Sequence, residues 1–195
     1  MEIDRTLPNL SVKMECDDLI NFPRVAFPPG YSIRPYQPGD EAAWQHLHRI
    51  GDPLSQVDFN DAFFVEQFGR DLEVLRSRMF YVESATGEVA GSISAWSTDD
   101  QPAQGLIHWV IVHPEHRRRG LSKPMMSHAM QRLAQSHQQA VLGTSLARPW
   151  AIKVYLDFGF VPADEELRDP THLQGWGLLQ QYINHPRLAT WLERR

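Results

Sequence analysis

The densest run of chemistry-bearing side chains in this chain is His116, Arg117, Arg118, Arg119, Gly120, Leu121, Ser122 and Lys123. It follows an apolar, β-branched stretch, Leu106 to Val112, which is interrupted only by His108 and ended by Pro114. Past Gly120, the residues Leu121, Met125, Met126, Ala129, Met130 and Leu133 recur at helical spacing. A buried strand, a basic loop with one glycine and then a helix is a recipe for holding phosphate. The helix N-terminus offers unpaired N–H groups and about half a positive charge, and Gly120 lets backbone approach the ligand without a Cβ in the way. The segment lacks the Lys-Ser/Thr pair that holds magnesium in a P-loop and the three glycines of a dinucleotide fingerprint. The expected ligand carries phosphate without being a nucleoside triphosphate or a nicotinamide dinucleotide.

His108 is the only titratable side chain in its apolar run, on the strand face of Leu106, Val110 and Val112 by simple alternation. A histidine pKa near 6.5 suits a base at neutral pH, although a satisfied core histidine has the same sequence appearance. His46, His48, His113 and His116 come with no HExxH, cysteine pair or carboxylate spacing, so no metal is expected. Asp52, Asp58 and Asp61 read either as attractors of a cationic partner or as solvated loop acids. Trp44, Phe63, Phe64 and Phe68 have the spacing of a helical core.

The elements that must position these groups fit one domain. With 195 residues, 42% of them apolar and 22% charged, the chain is in the globular range. The expected organisation is a single domain over 1–195: a proline-rich arm over 1–30, a catalytic core over 31–165 and a tail over 166–195. Leu19, Ile20, Phe22 and Phe27 would tie the arm down. Strands are expected at Tyr31 to Tyr36, Met79 to Ser84, Glu88 to Trp96, Leu106 to Val112 and Ala140 to Leu146, and from Phe160-Val161 onward. A polar loop is expected from Ser97 to Gln104 and a last strand over Trp176 to Ile183. Helices are expected from an Asp40 cap to Ile50, with Ala43, Trp44, Leu47 and Ile50 on one face, and from Asn60 or Asp61 to Phe68, resuming to Leu75. Further helices should follow Gly120, begin at Pro149 with Gly159 as C′ residue, and run over Pro186 to Arg195. The central Leu106 to Val112 strand should be buried on both faces.

Bulk properties exclude several classes. A net charge of −5 and a pI near 6.0 give no support to a nucleic-acid partner, because a polymer footprint needs several separated cations. The single Cys16 excludes an internal disulfide and fits the cytoplasm. No apolar run has signal-peptide or membrane-span length, so no membrane partner is expected.

Two motifs carry a resemblance to the GNAT superfamily of N-acetyltransferases. The first is Val112-His113-Pro114 followed by Arg117, Gly120 and Ser122; Ser122 stands where that family usually has a smaller residue. The second is Ala151, Tyr155, Gly159 and Phe160; Arg148 stands where an asparagine is frequent. The resemblance covers about Tyr31 to Val161 and implies a mixed, mostly antiparallel central sheet with flanking helices and splayed central strands, an α/β (α+β type) acyl-coenzyme A fold. It further implies acetyl-coenzyme A as co-substrate and a small-molecule or peptide amine as acceptor, acetylated by direct attack in a ternary complex. Under this resemblance Val110 and Val112 supply backbone groups to the pantetheine, and a backbone N–H near Val110 polarises the thioester carbonyl. The pyrophosphate would sit on the amides from Arg118 to Lys123, with the side chains of Arg117, Arg118 and Arg119 adding charge. Tyr155 matches the general acid, and His108 is placed like a proton-relaying histidine in serotonin N-acetyltransferase. The alternative is an acetyl-coenzyme A-binding module without turnover. Neither the acceptor nor a homodimer is specified by these residues.

Overall fold

In a computed structural model, residues 4–98 and 101–194 are described. In chain order the elements are β1 (Ser11–Cys16), β2 (Tyr31–Pro35), α1 (Asp40–Gly51), α2 (Asp61–Phe68), α3 (Leu72–Arg78), β3 (Met79–Ser84), β4 (Val89–Thr98) and β5 (Gln101–Val112). They continue as α4 (Ser122–Leu133), β6 (Gln139–Ser145), α5 (Pro149–Asp157), β7 (Val161–Pro162), α6 (Pro170–Ile183) and α7 (Pro186–Leu192). The strands form one seven-stranded sheet in the order β2-β3-β4-β5-β6-β1-β7. The pairs β2–β3, β3–β4, β1–β6 and β1–β7 are antiparallel and β5–β6 is parallel. This is the mixed, mostly antiparallel sheet with flanking helices expected from the sequence. The chain gathers into two compact units; the first holds Arg24–Trp96 and Ile107–Arg132, the second the other described residues.

In the first unit, the helices start where the sequence supplies acceptors for their free N–H groups. Asn60 Oδ1 accepts from Phe63 N at 2.9 Å at the head of α2, and Asp71 Oδ1 accepts from Glu73 N and Val74 N at the head of α3. At α1 the cap falls one residue earlier than expected. Gly39, at φ 100°, is the N-cap, and Asp40 is the first helical residue. Its carboxylate accepts two hydrogen bonds from Arg34, at 2.6 and 2.9 Å, and one from Gln37 N at 2.6 Å. The buried face of α1 carries Trp44, Leu47, His48 and Gly51, while Ile50 is 40% exposed, so the apolar stripe is rotated from the expected one. Trp44 is fully buried among the rings of Phe59, Phe63, Phe64, Phe68 and Trp109, with centroids 5.4–6.3 Å away. Losing such a ring costs about 3–5 kcal/mol, which makes this cluster the main support of the unit.

In the second unit, β1 lies antiparallel between β6 and β7, Met14 facing both Leu142 and Pro162. Residues 1–30 therefore contain a strand rather than only an arm: Val12, Met14 and Cys16 alternate inward between Ser11, Lys13 and Glu15. Leu19 and Phe22 are buried as expected, but Ile20 is 78% exposed. The strand expected over Trp176 to Ile183 is instead part of helix α6, which starts on Asp169 Oδ1 with Pro170 in its first turn and buries Gly175, Trp176 and Leu179. The polar stretch Ser97 to Gln104 is strand over most of its length, with β4 reaching Thr98 and β5 starting at Gln101; positions 99 and 100 of that expected loop lie outside the described residues. The β5–β6 ladder pairs Gln104, Gly105 and Leu106 with Gln139, Ala140 and Val141, whereas β5 continues to Val112 and β6 to Ser145. Among the described residues no helix is long and apolar enough to cross a membrane.

Candidate active site

The basic loop grows directly out of β5 in the first unit. His113 N donates to Ala90 O at 2.9 Å, which holds the strand end against β4, and a short 3-10 turn over Pro114–His116 comes next. Arg118 then takes φ 60° and Gly120 φ 77° before α4 starts at Ser122. Left-handed residues interleaved with extended or right-handed ones turn successive N–H groups toward one side, a concave anion-binding arrangement. Among the described residues no backbone carbonyl accepts from the N–H groups of Gly120, Leu121 or Ser122. The backbone at Gly120 adds a second requirement for glycine. No protein atom lies within 4 Å of where its Cβ would stand, and its positive φ favours glycine there.

The loop's arginines divide. Arg117 Nη2 donates to Gly51 O at 2.6 Å, so this side chain caps the end of α1. Gly51 itself is tight there: a Cβ would lie 2.9 Å from Ile111 Cδ1. Arg119 Nη1 donates to Tyr31 Oη at 3.1 Å, and the Tyr31 hydroxyl lies 2.9 Å from Nδ1 of the buried His116. Because arginine only donates, the Tyr31 proton is free to go to His116 Nδ1, leaving Nε2–H toward Glu88, 3.8 Å away. Arg118 is exposed. Lys123 is the second residue of α4. The other candidate histidines do not assemble around a centre: His46 and His113 rings are 6.4 Å apart, and His48 packs on Trp44 and Phe59. Among the described residues no group of three or more His, Cys, Asp or Glu is arranged to hold a metal ion. Asp61 accepts from Gln45 Nε2 at 2.7 Å and Asp58 from Asn60 Nδ2 at 2.8 Å, so both carboxylates serve local structure.

On β5, Trp109 has φ 48°, in the left-handed region where a bulky residue is strained by about 1–3 kcal/mol. Sequence alternation gives no warning of this, and it breaks the expected pattern. Ile107, Ile111 and Val112 are buried, but Leu106, His108, Trp109 and Val110 are only partly so, and the strand is not buried on both faces. A residue of that conformation inside a strand bends it and re-aims the next residue, here Val110. The indole of Trp109 is fixed by donation to Gln67 Oε1 at 3.0 Å. His108 lies with its ring 5.7 Å from Phe68 and 5.6 Å from Trp109, and burial pushes its pKa down to about 4. It is therefore neutral at pH 7.

In the second unit, Tyr155 sits on α5 where the helix is closed by a Schellman motif. Phe160 N donates to Tyr155 O at 3.1 Å and Gly159 N to Leu156 O at 3.2 Å, with Gly159 at φ 98°. The second sequence motif thus encodes a helix end that fixes the tyrosine's backbone. Its side chain is 5% exposed, with its ring 6.3 Å from Phe160; burial pushes the pKa up to about 12, with Arg148 acting weakly in the opposite direction. Arg148 is the N-cap of α5 and gives it no side-chain capping bond.

Comparison with known proteins matches this frame. A GCN5-related N-acetyltransferase from Sphaerobacter thermophilus is 16% identical, with TM-score 0.65 over 78% of this chain and 48% of that one. A tandem GNAT protein from the clavulanic acid biosynthesis pathway is 22% identical, with TM-score 0.60 over 83% and 52%. A spermidine N-acetyltransferase chimera from Vibrio cholerae is 16% identical, with TM-score 0.53 over 66% and 78%. The chain thus spans about half the length of the first two of these proteins. No curated protein matches it. The model of the GNAT acetyltransferase family matches residues 42–160, which take in the basic loop, β5 and the closed end of α5, and the chain belongs to that family.

Proposed function

We propose that the protein transfers the acetyl group of acetyl-coenzyme A to a primary amine by direct attack within a ternary complex. The observation that carries this reading is the loop ahead of α4, with Arg118 and Gly120 left-handed and the N–H groups of Gly120, Leu121 and Ser122 turned to no protein carbonyl among the described residues. Backbone donors at a helix N-terminus fit a pyrophosphate, and Arg118 and Lys123 add charge beside it. When bound, the thioester supplies an activated acyl group. The chain's own residues then hold and polarise. Val110 and Val112 offer backbone groups to the pantetheine, and the N–H near Val110, re-aimed by the left-handed Trp109, donates to the thioester carbonyl oxygen.

His108 acts as proton acceptor in this reading. Its pKa of about 4 keeps it in the accepting form at neutral pH, but an alkylammonium has a pKa near 10.4. It therefore relays a proton through water to solvent rather than storing it. Tyr155 is the donor to the departing thiolate, and burial keeps it protonated across the working range. Arg148 takes the place of the usual asparagine beside the cofactor. The spermidine enzyme among the similar structures supports a small amine as acceptor, and the buried free thiol of Cys16 fits a cytoplasmic setting.

One observation favours a second reading, a non-catalytic acetyl-coenzyme A-binding module: His108 and Tyr155 are both shifted away from the pKa range in which proton transfer is easiest. Thiol release with an amine panel separates the two. Coenzyme A should raise the melting temperature by mass action, and at least one amine should release thiol in proportion to acetylated product. Stabilisation without release from any amine would leave the binding module standing, and no stabilisation at millimolar coenzyme A would remove both.

A further inference from the structure

Of the described residues of β5 only Trp109 has a positive φ, and a bulky side chain stays in that conformation only where its surroundings hold it. Two features of the first unit supply the hold. The first is room. Gly91 on β4, the strand beside β5, is buried, and a Cβ on it would stand 2.7 Å from the backbone oxygen of Ile111. Any other residue there would push that carbonyl back, so the glycine lets β5 come close just past the bend. His113 N on Ala90 O then ties the strand end to the neighbouring position of β4.

The second feature is a tie on the side chain. The indole N–H of Trp109 donates to Gln67 Oε1 at 3.0 Å in a half-buried setting, across 42 positions of sequence. Gln67 lies next to the buried Phe68 at the end of α2, which is closed by Gly69 N on Val65 O at 2.8 Å, so the amide is presented from a fixed backbone. The rings of Trp44, His48, Phe59, Phe63 and His108 also surround the indole, with centroids 5.1–5.7 Å away. Those contacts fill space; the bond to Gln67 is the one that sets which way the indole edge points. The net worth of such a bond and the strain of a left-handed tryptophan are of the same order, so losing the one is enough to release the other.

We propose that Gln67 is a positioning residue for acyl transfer: its amide oxygen holds the Trp109 indole, which keeps the backbone left-handed and so aims the Val110 N–H at the thioester carbonyl oxygen. This rests on the acetyl-transfer reading above. Gln67 need not touch either substrate, because it acts through Trp109 on a donor whose value lies in being fixed in advance. Gly91 makes the bent strand possible, and Gln67 selects it.

The test compares the full chain with Gln67→Leu, which removes the acceptor, and Gln67→Glu, which keeps a side-chain oxygen at the same reach. One readout needs no turnover: the Cα and Cβ carbon shifts of Trp109, assigned by NMR, report whether its backbone is left-handed or extended. They should be left-handed in the unsubstituted protein and in Gln67→Glu, and should move toward extended values in Gln67→Leu. The other readout is acetyl transfer to an amine that releases thiol. Gln67→Leu should lower kcat by about tenfold or more, part of the about 10²–10³-fold cost of deleting an oxyanion donor, with coenzyme A affinity within about twofold. Gln67→Glu should recover most of kcat. Trp109→Phe, which removes the indole N–H and keeps a ring, should lower kcat by a similar factor, and adding Gln67→Leu to it should cost nothing more. Coenzyme A should raise the melting temperature of each variant, which shows that it is folded. Unchanged Trp109 shifts in Gln67→Leu, an unchanged kcat in a merely less stable variant, or additive losses in the double variant overturns the proposal. If the unsubstituted protein acetylates no amine, the acetyl-transfer reading fails and takes the catalytic half of the proposal with it, while the shifts still decide whether Gln67 holds the strand.

Discussion

The loop ahead of α4 and the stretch from α7 to the residues just after it both carry arginines, yet they present their donors by different means. In the loop, Arg117 and Arg119 are committed to protein oxygens, Gly51 O and Tyr31 Oη, and the groups left facing outward are backbone N–H. Within α7 the backbone is satisfied by the helix, and Arg187 on it and Arg194 just after it stand without carboxylate partners among the described residues. A count of cations does not locate an anion site. What locates it is the set of donors left over after the protein has met its own needs. Backbone donors are pre-ordered and cost no rotamer freedom, which suits the part of a ligand that must be placed to within a fraction of an ångström. Long free side chains suit attraction with less positional demand.

The change expected to break this comparison most completely is Gly120→Asp. It places an L residue at φ 77° and a negative charge beside the loop amides. The stabilisation of the protein by coenzyme A should disappear, a loss of at least 10²-fold in affinity, and calorimetry or melting curves would show it. Gly120→Ala retains the strain without the charge and should lose less. Equal affinity in Gly120→Asp would place the phosphate elsewhere.

Next in size is Tyr155→Phe, which tests the second unit's contribution. If the hydroxyl donates to the leaving thiolate, turnover should fall by about 10²-fold with acetyl-coenzyme A affinity nearly unchanged. The defect should shrink with a thioester whose thiol is more acidic. Equal losses with both donors would leave Tyr155 as a packing residue beside Phe160.

A smaller effect sharpens the split between backbone and side chain. Arg117→Gln removes a charge-assisted bond to the last residue of α1 and should lower stability by about 1–3 kcal/mol while weakening coenzyme A less than tenfold. Arg118→Gln, at an exposed position without that tie, should leave stability within about 0.5 kcal/mol and weaken coenzyme A by a few-fold at low salt. If Arg117→Gln instead abolished binding without loss of stability, the guanidinium would be a phosphate ligand in the bound state, as the sequence alone suggested.

Much of this was legible before any coordinates because local signals and tertiary needs agree. Asn60 caps α2, Gly159 closes α5, and the loop lies between β5 and α4 where proline, glycine and helical periodicity put it. Four things were hidden, each for a physical reason. β1 shows only three inward positions separated by Lys13 and Glu15, and its pairing partners β6 and β7 lie more than a hundred residues away. In α6, the apolar run Trp176 to Ile183 suits a strand by composition, and only Asp169-Pro170 upstream marks it as the later half of a helix. The left-handed Trp109 could not be read at all, because no residue type announces that conformation except glycine or asparagine. The ties of Arg117 to Gly51 and Arg119 to Tyr31 were equally invisible, since both join residues more than sixty positions apart.

The smallest rate effect, and the one that separates a relay from a core histidine, is expected at His108. Its pKa falls from 6.5 unfolded to about 4 folded because burial penalises the charged ring. Between these two values the unfolded chain binds the proton and the folded one does not, so stability falls as pH is lowered through that window and levels off below pH 4. The full cost is on the order of 3 kcal/mol, roughly 2 kcal/mol of it already felt at pH 5. His108→Leu should flatten the stability profile between pH 4 and 6.5, measured by urea unfolding at several pH values; both roles share this outcome. Activity distinguishes them. A relay through neutral His108 should make the variant lose turnover several-fold, most at low pH where most amine is protonated, and the loss should shrink toward pH 9 where more amine arrives neutral. A flattened stability profile with an equal or absent rate loss at every pH would assign His108 to the packing around Phe68 and Trp109 and leave deprotonation to solvent.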